Sequence, residues 1–469
     1  MAIIPLPLGS YQLAAPAASC RRLVNCFAEA APQDGGKQPA ILHRAPGILA
    51  WGDTGAVECR GGVVMGGVLY VCADDTLYSV ASDGTETALT GDAITGNGPV
   101  RMESNGTTIV VCPGNGDGFS SDGSTVAEIT DVDFVDGADP AFVDGYLVFR
   151  QVGTENFFNS GLDAITFNGL DITNADGAPD NLVGLIANNR ELILPGERST
   201  ERWYNAGLSP GSPFARSPNG FYEIGCAAGQ SLLNQDNTAL MLANDLTFRR
   251  LGASWERVSQ HGIETVLQDM DQVSDCYGMA YRQGGHHFAV WTFPNAGRTL
   301  CLDLNTQEWA ERESRIDTVS IGRWRPAFII EAYGKQIVGD SQSGQLGILD
   351  PDTHEEFGEP QVMEFQFQPL YAQNRSIQTR SFELGIAAGQ GTISGQGSNP
   401  LCTLFISRDG GNTFIAKATR SIGRIGQYRR RVRWGGLGAA SQLVPKIQLS
   451  DPVRTLVLDA IWEGEGARI

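Results

Sequence analysis

The chain has 469 residues, 42% of them hydrophobic, and 34 Lys or Arg against 53 Asp or Glu give a formal charge of −19 at pH 7. That apolar content is enough for a sizeable core and excludes a disordered chain, while the acidic excess excludes a protein that wraps duplex DNA, since phosphate binding needs clustered Lys and Arg. The 58 glycines favour many tight turns over long helices.

The first twenty residues, MAIIPLPLGSYQLAAPAASC, lack a basic leading region, and Pro5, Pro7 and Pro16 interrupt the apolar stretch. They do not read as a secretory signal. Residues 1–60 are rich in Pro and Ala, with an Asp34-Gly35-Gly36 turn, and are expected to form an extended N-terminal arm. No run approaches the ~18 apolar residues of a membrane span, which points to a soluble protein. The nine cysteines are scattered, odd in number and never spaced C-x-x-C, unlike a secreted disulfide scaffold. Cys72 ends the apolar run Leu69-Tyr70-Val71-Cys72, where a free thiol behaves as a small hydrophobe. The expectation is a reduced protein made in the cytosol, without a zinc cluster.

From residue 61 to residue 358 the chain repeats. VVMGGVLYVCADDTLYSVASDGTETALT around Val63 and MESNGTTIVVCPGNGDGFSSDGSTVAEIT around Met102 share a short strand, a Gly turn, an apolar strand with Cys72 or Cys112, and a Ser-Asp-Gly turn. Gly67, Gly106 and Gly145 recur at intervals of 39 residues, which predicts equivalent hairpin turns. A period of about 40 residues built from short strands is the signature of a β-propeller blade. One blade cannot bury both of its faces, so neighbours stack radially. Later segments such as LVGLIANNRELILP and YGKQIVGDSQSGQLGILD follow the period more loosely, and six or seven blades are expected.

Residues 359–469 fall outside the period. VMEFQFQPLY, SFELGIAAG, TLFISRDGG, QYRRRVRWGG, LVPKIQLS and TLVLDAIWEG are longer strands parted by Gly- and Ser-rich breaks, the pattern of an antiparallel sandwich of about six strands. The fold class is therefore all-β: a β-propeller with an additional C-terminal antiparallel β-sandwich-like region.

Motifs that suggest chemistry reduce to turns and strands. In Asp131-Val132-Asp133-Phe134-Val135-Asp136-Gly137 a valine stands where the third oxygen ligand of a calcium loop belongs and the glycine comes late, leaving an acidic turn. His286 and His287, considered with Glu264 or Asp303, are adjacent in an apolar strand and point to opposite faces, so they cannot easily share one ion. Ser407 to Phe414 fits the Asp-box S-x-D-x-G-x-T-[WF], in which the carboxylate pins a hairpin by accepting backbone N–H bonds. It occurs once, outside the repeat, and is read as a turn device. Phosphate-loop and zinc-protease signatures are absent from the sequence. No catalytic residue, metal or cofactor is assigned, and the chain is not expected to be an enzyme.

The one charge anomaly is basic. Arg420, Arg424, Arg429, Arg430, Arg431 and Arg433 crowd a short stretch of an acidic chain. If QYRRRVRW is a strand, Arg429, Arg431 and Arg433 share one face, with Arg430, Val432 and Trp434 on the other. The stretch is either an ordinary solvated strand or a contact patch. In the second reading Arg420, Arg424, Arg429, Arg431 and Arg433 form a subunit interface for an acidic neighbour.

Four segments carry a family resemblance. Leu23-Val24-Asn25-Cys26-Phe27-Ala28-Glu29 followed by Leu42-His43-Arg44-Ala45-Pro46-Gly47 resembles the opening of the tail hub or nozzle proteins of short-tailed bacteriophages, also called packaged-DNA stabilisation proteins. Glu197 to Gly207, His287 through Leu302-Asp303 and Trp309 to Glu311-Arg312, and Arg429 to Trp462 resemble later segments of the same family, in the same order. The resemblance implies a structural protein of the virion tail, made in the bacterial host cytoplasm. Its relatives form a ring, usually six-fold, below the portal and adaptor proteins. They retain packaged DNA and form part of the ejection conduit that leads to a tail needle or tip, among tail fibre or spike proteins. An acidic lumen in such a ring would let DNA slide without sticking. The competing reading, drawn from the Asp-box, is a glycan-binding or sialidase-like glycoside-hydrolysing tail protein.

Overall fold

The computed structural model describes residues 2–31, 38–315, 320–371 and 376–467, so the Asp34-Gly35-Gly36 turn lies outside the described residues. Hairpin geometry sets the repeat. Gly67, Gly106 and Gly145 have φ of +81°, +95° and +89°, a region that costs an L-residue strain. Each occupies the turn between the first and second strands of a blade: Cys59–Met65 and Val68–Ala73, Arg101–Ser104 and Ile109–Cys112, Gly137–Val143 and Tyr146–Gln151. The 39-residue interval is thus the distance between equivalent turns.

Seven such sheets follow one another among the described residues, each built on four sequential strands except the last. The first strand of each blade lies towards the axis, as in the neighbouring pairs Cys59–Met65 with Arg101–Ser104 and Cys59–Met65 with Pro326–Ala332. The seventh blade takes Pro326–Ala332, Lys335–Asp340 and Gln345–Asp350 from the end of the repeat, and its fourth strand, Gly47–Asp53, from the N-terminal segment. Gly47 opposes Asp350 and Asp53 opposes Gln345. A side chain on Gly47 would stand 2.4 Å from Thr353 O and 2.5 Å from Glu355 O, so only glycine lets the closing strand enter. The ring is locked by joining its two chain ends in one blade, which removes an open sheet edge.

The described residues of the segment 1–60, expected as an extended arm, are built into both parts of the molecule. Cys20–Val24 lies between the outer strand of the sixth blade, Glu308–Glu311, and the sandwich strand Met363–Gln366. One continuous sheet therefore runs out of the propeller, through this stitch, into the sandwich. Cys26–Ala30 and Ala40–Arg44 join the opposite sandwich sheet beside Leu456–Ala467, and Ala2–Ile4 pairs with the same C-terminal strand. Between the two sheets Leu23, Phe365, Phe382, Trp434 and Ile447 form a buried core.

One local expectation needs correction. QYRRRVRW is not one strand: Tyr428 and Arg429 form a turn, Arg430 and Arg431 are irregular, and the strand runs Val432–Ala440. Gly423 and Gly426 adopt φ of +115° and +84°, and the turn they build delays strand entry until Val432 and Trp434 can reach the core. The structure also contains one eight-residue α-helix, His261–Gln268, and a sandwich strand Ile415–Ser421, neither of which was expected. All nine cysteines are buried and free. No helix among the described residues is long and apolar enough to cross a membrane.

Candidate functional site

Residues from three of the four segments that carry the family resemblance meet at the junction between propeller and sandwich. Asn25 is fully buried and has φ of +52°, a conformation Asn tolerates better than most residues. Its Nδ2 donates to Glu313 O and to Val362 O, both at 2.8 Å, tying a propeller strand to the entrance of the sandwich. Its Oδ1 accepts from Arg312 Nε at 3.1 Å. The Arg312 guanidinium also donates to Tyr281 Oη at 3.0 Å and to Pro46 O at 2.9 Å, and lies 4.0 Å over the Trp324 ring. This one buried cation thus meets the segments around Asn25, Pro46 and the sixth blade together. Arg44 holds the far side, donating to Gln361, Asp451 O and Val453 O.

Beside them lies an ion cluster on the stitch. Arg22 donates from Nε and Nη2 to Glu311 at 3.0 and 2.8 Å, and also reaches Glu313 at 2.5 Å and Glu364 at 3.5 Å. Arg298 adds a 2.8 Å bond to Glu311, and Lys446 approaches Glu364 at 3.2 Å. Burial alone would raise the Glu311 carboxyl, but Arg22 and Arg298 outweigh it and hold the group at about 2. Glu313 moves the other way: burial raises it more than Arg22 lowers it. Sequence reasoning missed this cluster because its members lie about 290 residues apart; the charged pair Glu311-Arg312 next to buried Trp309 was the available signal.

The arginines divide into two groups. Arg431 and Arg433 flank buried Val432 and, although exposed, are paired within the chain: Arg431 donates to Asp459 (Nη1 at 3.2 Å) and lies 3.5 Å from Glu383, while Arg433 lies 3.3 Å from Glu383 and from Glu463. Arg420, Arg424, Arg429 and Arg430 are exposed. Arg420 donates to the neighbouring Thr419 O, and Arg430 to Ser421 O. None of these four forms an ion pair among the described residues. The structure therefore does not bring the five predicted interface arginines together as one free surface.

The remaining motifs have structural partners. In the Asp-box the Asp409 carboxylate accepts from Ser407 Oγ at 2.6 Å, Thr413 Oγ1 at 2.6 Å and Thr413 N at 2.9 Å, bonds that hold it well below the usual carboxylate range. Gly410 and Gly411 let this turn close on Ala17 and Cys20. His286 bonds to Asp303 at 2.7 Å and His287 approaches Asp236 at 3.4 Å, on different partners. Glu264 is engaged by Ser259 and Arg257. Asp131 accepts from Asp133 N at 3.0 Å and Phe167 N at 3.3 Å, folding its acidic loop. In the Glu197–Gly207 segment the Asp180 carboxylate collects the N–H groups of Glu197, Arg198 and Ser199, and Glu201 accepts from Trp203 Nε1 at 2.8 Å. No group of His, Cys, Asp and Glu among the described residues is arranged to hold a metal ion. A cavity of about 200 Å³ is lined by first-strand residues of four blades, including Gly61, Arg101, Met279 and Phe328.

A family profile described as bacteriophage P22 Gp10, β-propeller, matches residues 4–354, and a second, described as bacteriophage P22 Gp10, β-sandwich, matches residues 363–461. No curated protein matches. Among solved structures the chain is similar to the computationally designed Ika8 protein, at 12% identity over 70% of this chain and 99% of that one, with a TM-score of 0.39. The WD40 β-propeller domain of Doa1 is 9% identical over 65% of this chain and 96% of its own, with a TM-score of 0.42. The Neurospora crassa Pan2 WD40 domain is 10% identical over 72% and 96%, with a TM-score of 0.39.

Proposed function

The chain belongs to the family of the bacteriophage P22 Gp10 protein through both its β-propeller and its β-sandwich, and on that premise we propose that it forms the hub or nozzle ring of a phage tail. As a member of that family it is a structural tail protein that retains packaged DNA. The finer reading is a homo-oligomeric ring, a hexamer, seated below the portal and adaptor proteins and continuing towards a tail needle or tip and the fibres or spikes. The genome would pass through it during ejection. Synthesis is in the host cytoplasm, and the chain acts as a part of the conduit and not as a catalyst. The functional division is an N-terminal segment 1–60, a propeller 61–358 and a sandwich 359–469, with the first tying the other two.

The observation that carries this reading is the family match across both domains, which meet in the buried junction around Asn25 and Arg312. A part that resists the pressure of packaged DNA needs its domains to move as one, and buried hydrogen-bonded contacts over-determine their relative placement. The glycan-hydrolysing alternative rested on the Asp-box, and there the carboxylate is consumed by its own turn. Electron microscopy of whole particles tests the proposal. A ring of propeller-plus-sandwich subunits beneath the portal and adaptor is expected; a peripheral position on fibres would contradict it.

A further inference from the structure

Charge is unevenly spread along this chain. Residues 384–450 hold nine Lys or Arg and one carboxylate, Asp409, whereas residues 129–180 hold ten carboxylates and one cation, Arg150. Each stretch also displays large apolar side chains to solvent.

At one end of the sandwich, loops 387–400 and 422–431 pack on each other. Ser421 Oγ donates to Asn399 Oδ1 at 2.7 Å, Gly426 N faces Gly389 O at 3.4 Å, and a side chain on Gly389 would meet the Tyr428 ring. This end exposes Ile393 (89%), Ile425 (53%) and Tyr428 (73%). Around them stand Arg424, Arg429 and Arg430, exposed and outside any ion pair among the described residues.

Where the third blade meets a hairpin loop of the fourth, Asp133 lies against Gly169 and Leu170 O against Gly211, so three loops share one surface. It exposes Val132 (88%), Leu170 (74%) and Leu208 (52%). Asp131, Asp133 and Asp171 surround them and form no ion pair among the described residues.

Clustered exposed apolar residues mark interaction surfaces, and Arg and Tyr are enriched where such surfaces bind tightly. Opposite charge around two apolar centres fixes partner and orientation. We infer that the arginine-rimmed end of the sandwich docks on the aspartate-rimmed face of the third blade of a second copy of this chain. DNA phosphate would engage the arginines but give Ile393 and Ile425 no partner. The two surfaces are unlike, so every copy uses one to hold a neighbour and offers the other. Such a heterologous contact adds copies until a ring closes. The inference rests on the ring reading above and supplies its contact.

Charge reversal with rescue tests it on the purified full chain, with mass in solution read by light scattering. Arg424→Glu/Arg429→Glu/Arg430→Glu and Asp131→Lys/Asp133→Lys/Asp171→Lys should each lose assembly while keeping the parent's melting temperature. The chain carrying all six reversals, and a mixture of the two triple variants, should regain it. As a second readout, Leu170→Cys with Ile425→Cys should give a ladder of disulfide-linked multimers on oxidation, because the nine native cysteines are buried; either single variant should give none. An oligomer that ignores the reversals, or reversals never rescued in combination, overturns this contact and leaves the ring reading standing. Loss of duplex DNA binding with unchanged assembly assigns the arginines to nucleic acid instead. A parent chain that stays monomeric at its highest soluble concentration overturns the ring as well.

Discussion

Arg312 donates its Nε to Asn25 Oδ1 across 3.1 Å, joining residues 287 positions apart in the chain. The bond is buried, and the same guanidinium serves Tyr281 and Pro46. Replacing Arg312 by Ala strands these acceptors together with the nearby Glu356 carboxylate, 3.7 Å away. The expected cost is about 3 kcal/mol or more, read as a lower urea midpoint. Arg312→Lys should rescue little, because an ammonium cannot reproduce the fork and the stacking on Trp324.

Glu311 gives the junction an acid limit. Its carboxyl is held at about 2 in the folded chain, below the ordinary glutamate value of about 4.3. A depressed carboxyl contributes stability that is present above the unfolded value and is lost as pH falls through the folded one. The loss therefore develops between about pH 4 and pH 2, with a size on the order of 3 kcal/mol. Glu313 acts in the opposite sense because burial raises it, so the comparison is between Glu311→Gln and its parent. The variant should be less stable at pH 6, and its stability should fall less steeply below pH 4.

Glycine substitutions at the repeat turns should rank by what surrounds them. Gly67→Ala and Gly106→Ala meet open space, whereas a side chain on Gly145 would stand 2.7 Å from Leu162 Cδ1. The first two should cost about 1–2 kcal/mol from the backbone alone, and Gly145→Ala more. Thermal melts of the three single variants check the order.

Much of this architecture was legible in the sequence. The 39-residue glycine spacing marks equivalent hairpin turns because a positive φ leaves little choice of residue. Longer strands parted by Gly- and Ser-rich breaks marked a sandwich. The closing strand Gly47–Asp53 and the stitch Cys20–Val24 were hidden because their partners lie about 300 residues away, and local periodicity holds no information on such pairing. The arginine surface was half legible: composition showed the cluster. That Arg431 and Arg433 are occupied by Glu383, Asp459 and Glu463 depends on cross-strand register.

That division changes which arginines report on assembly. Arg431→Glu would set a carboxylate against Asp459 and Glu383 and should destabilise the sandwich, because like charges at such distances repel strongly. Arg429→Glu should leave the melting temperature within about 0.5 kcal/mol of stability, as expected for a surface site. Denaturation of the two single variants separates the roles.

Retention of DNA is the central claim, and the most direct measurement is the nuclease-protected genome in particles assembled without this chain. Heads filled in its absence should lose their DNA, and adding the purified chain to newly filled heads should preserve it, whereas chain carrying Arg312→Ala should protect less. Full protection in particles that lack the chain would contradict the account.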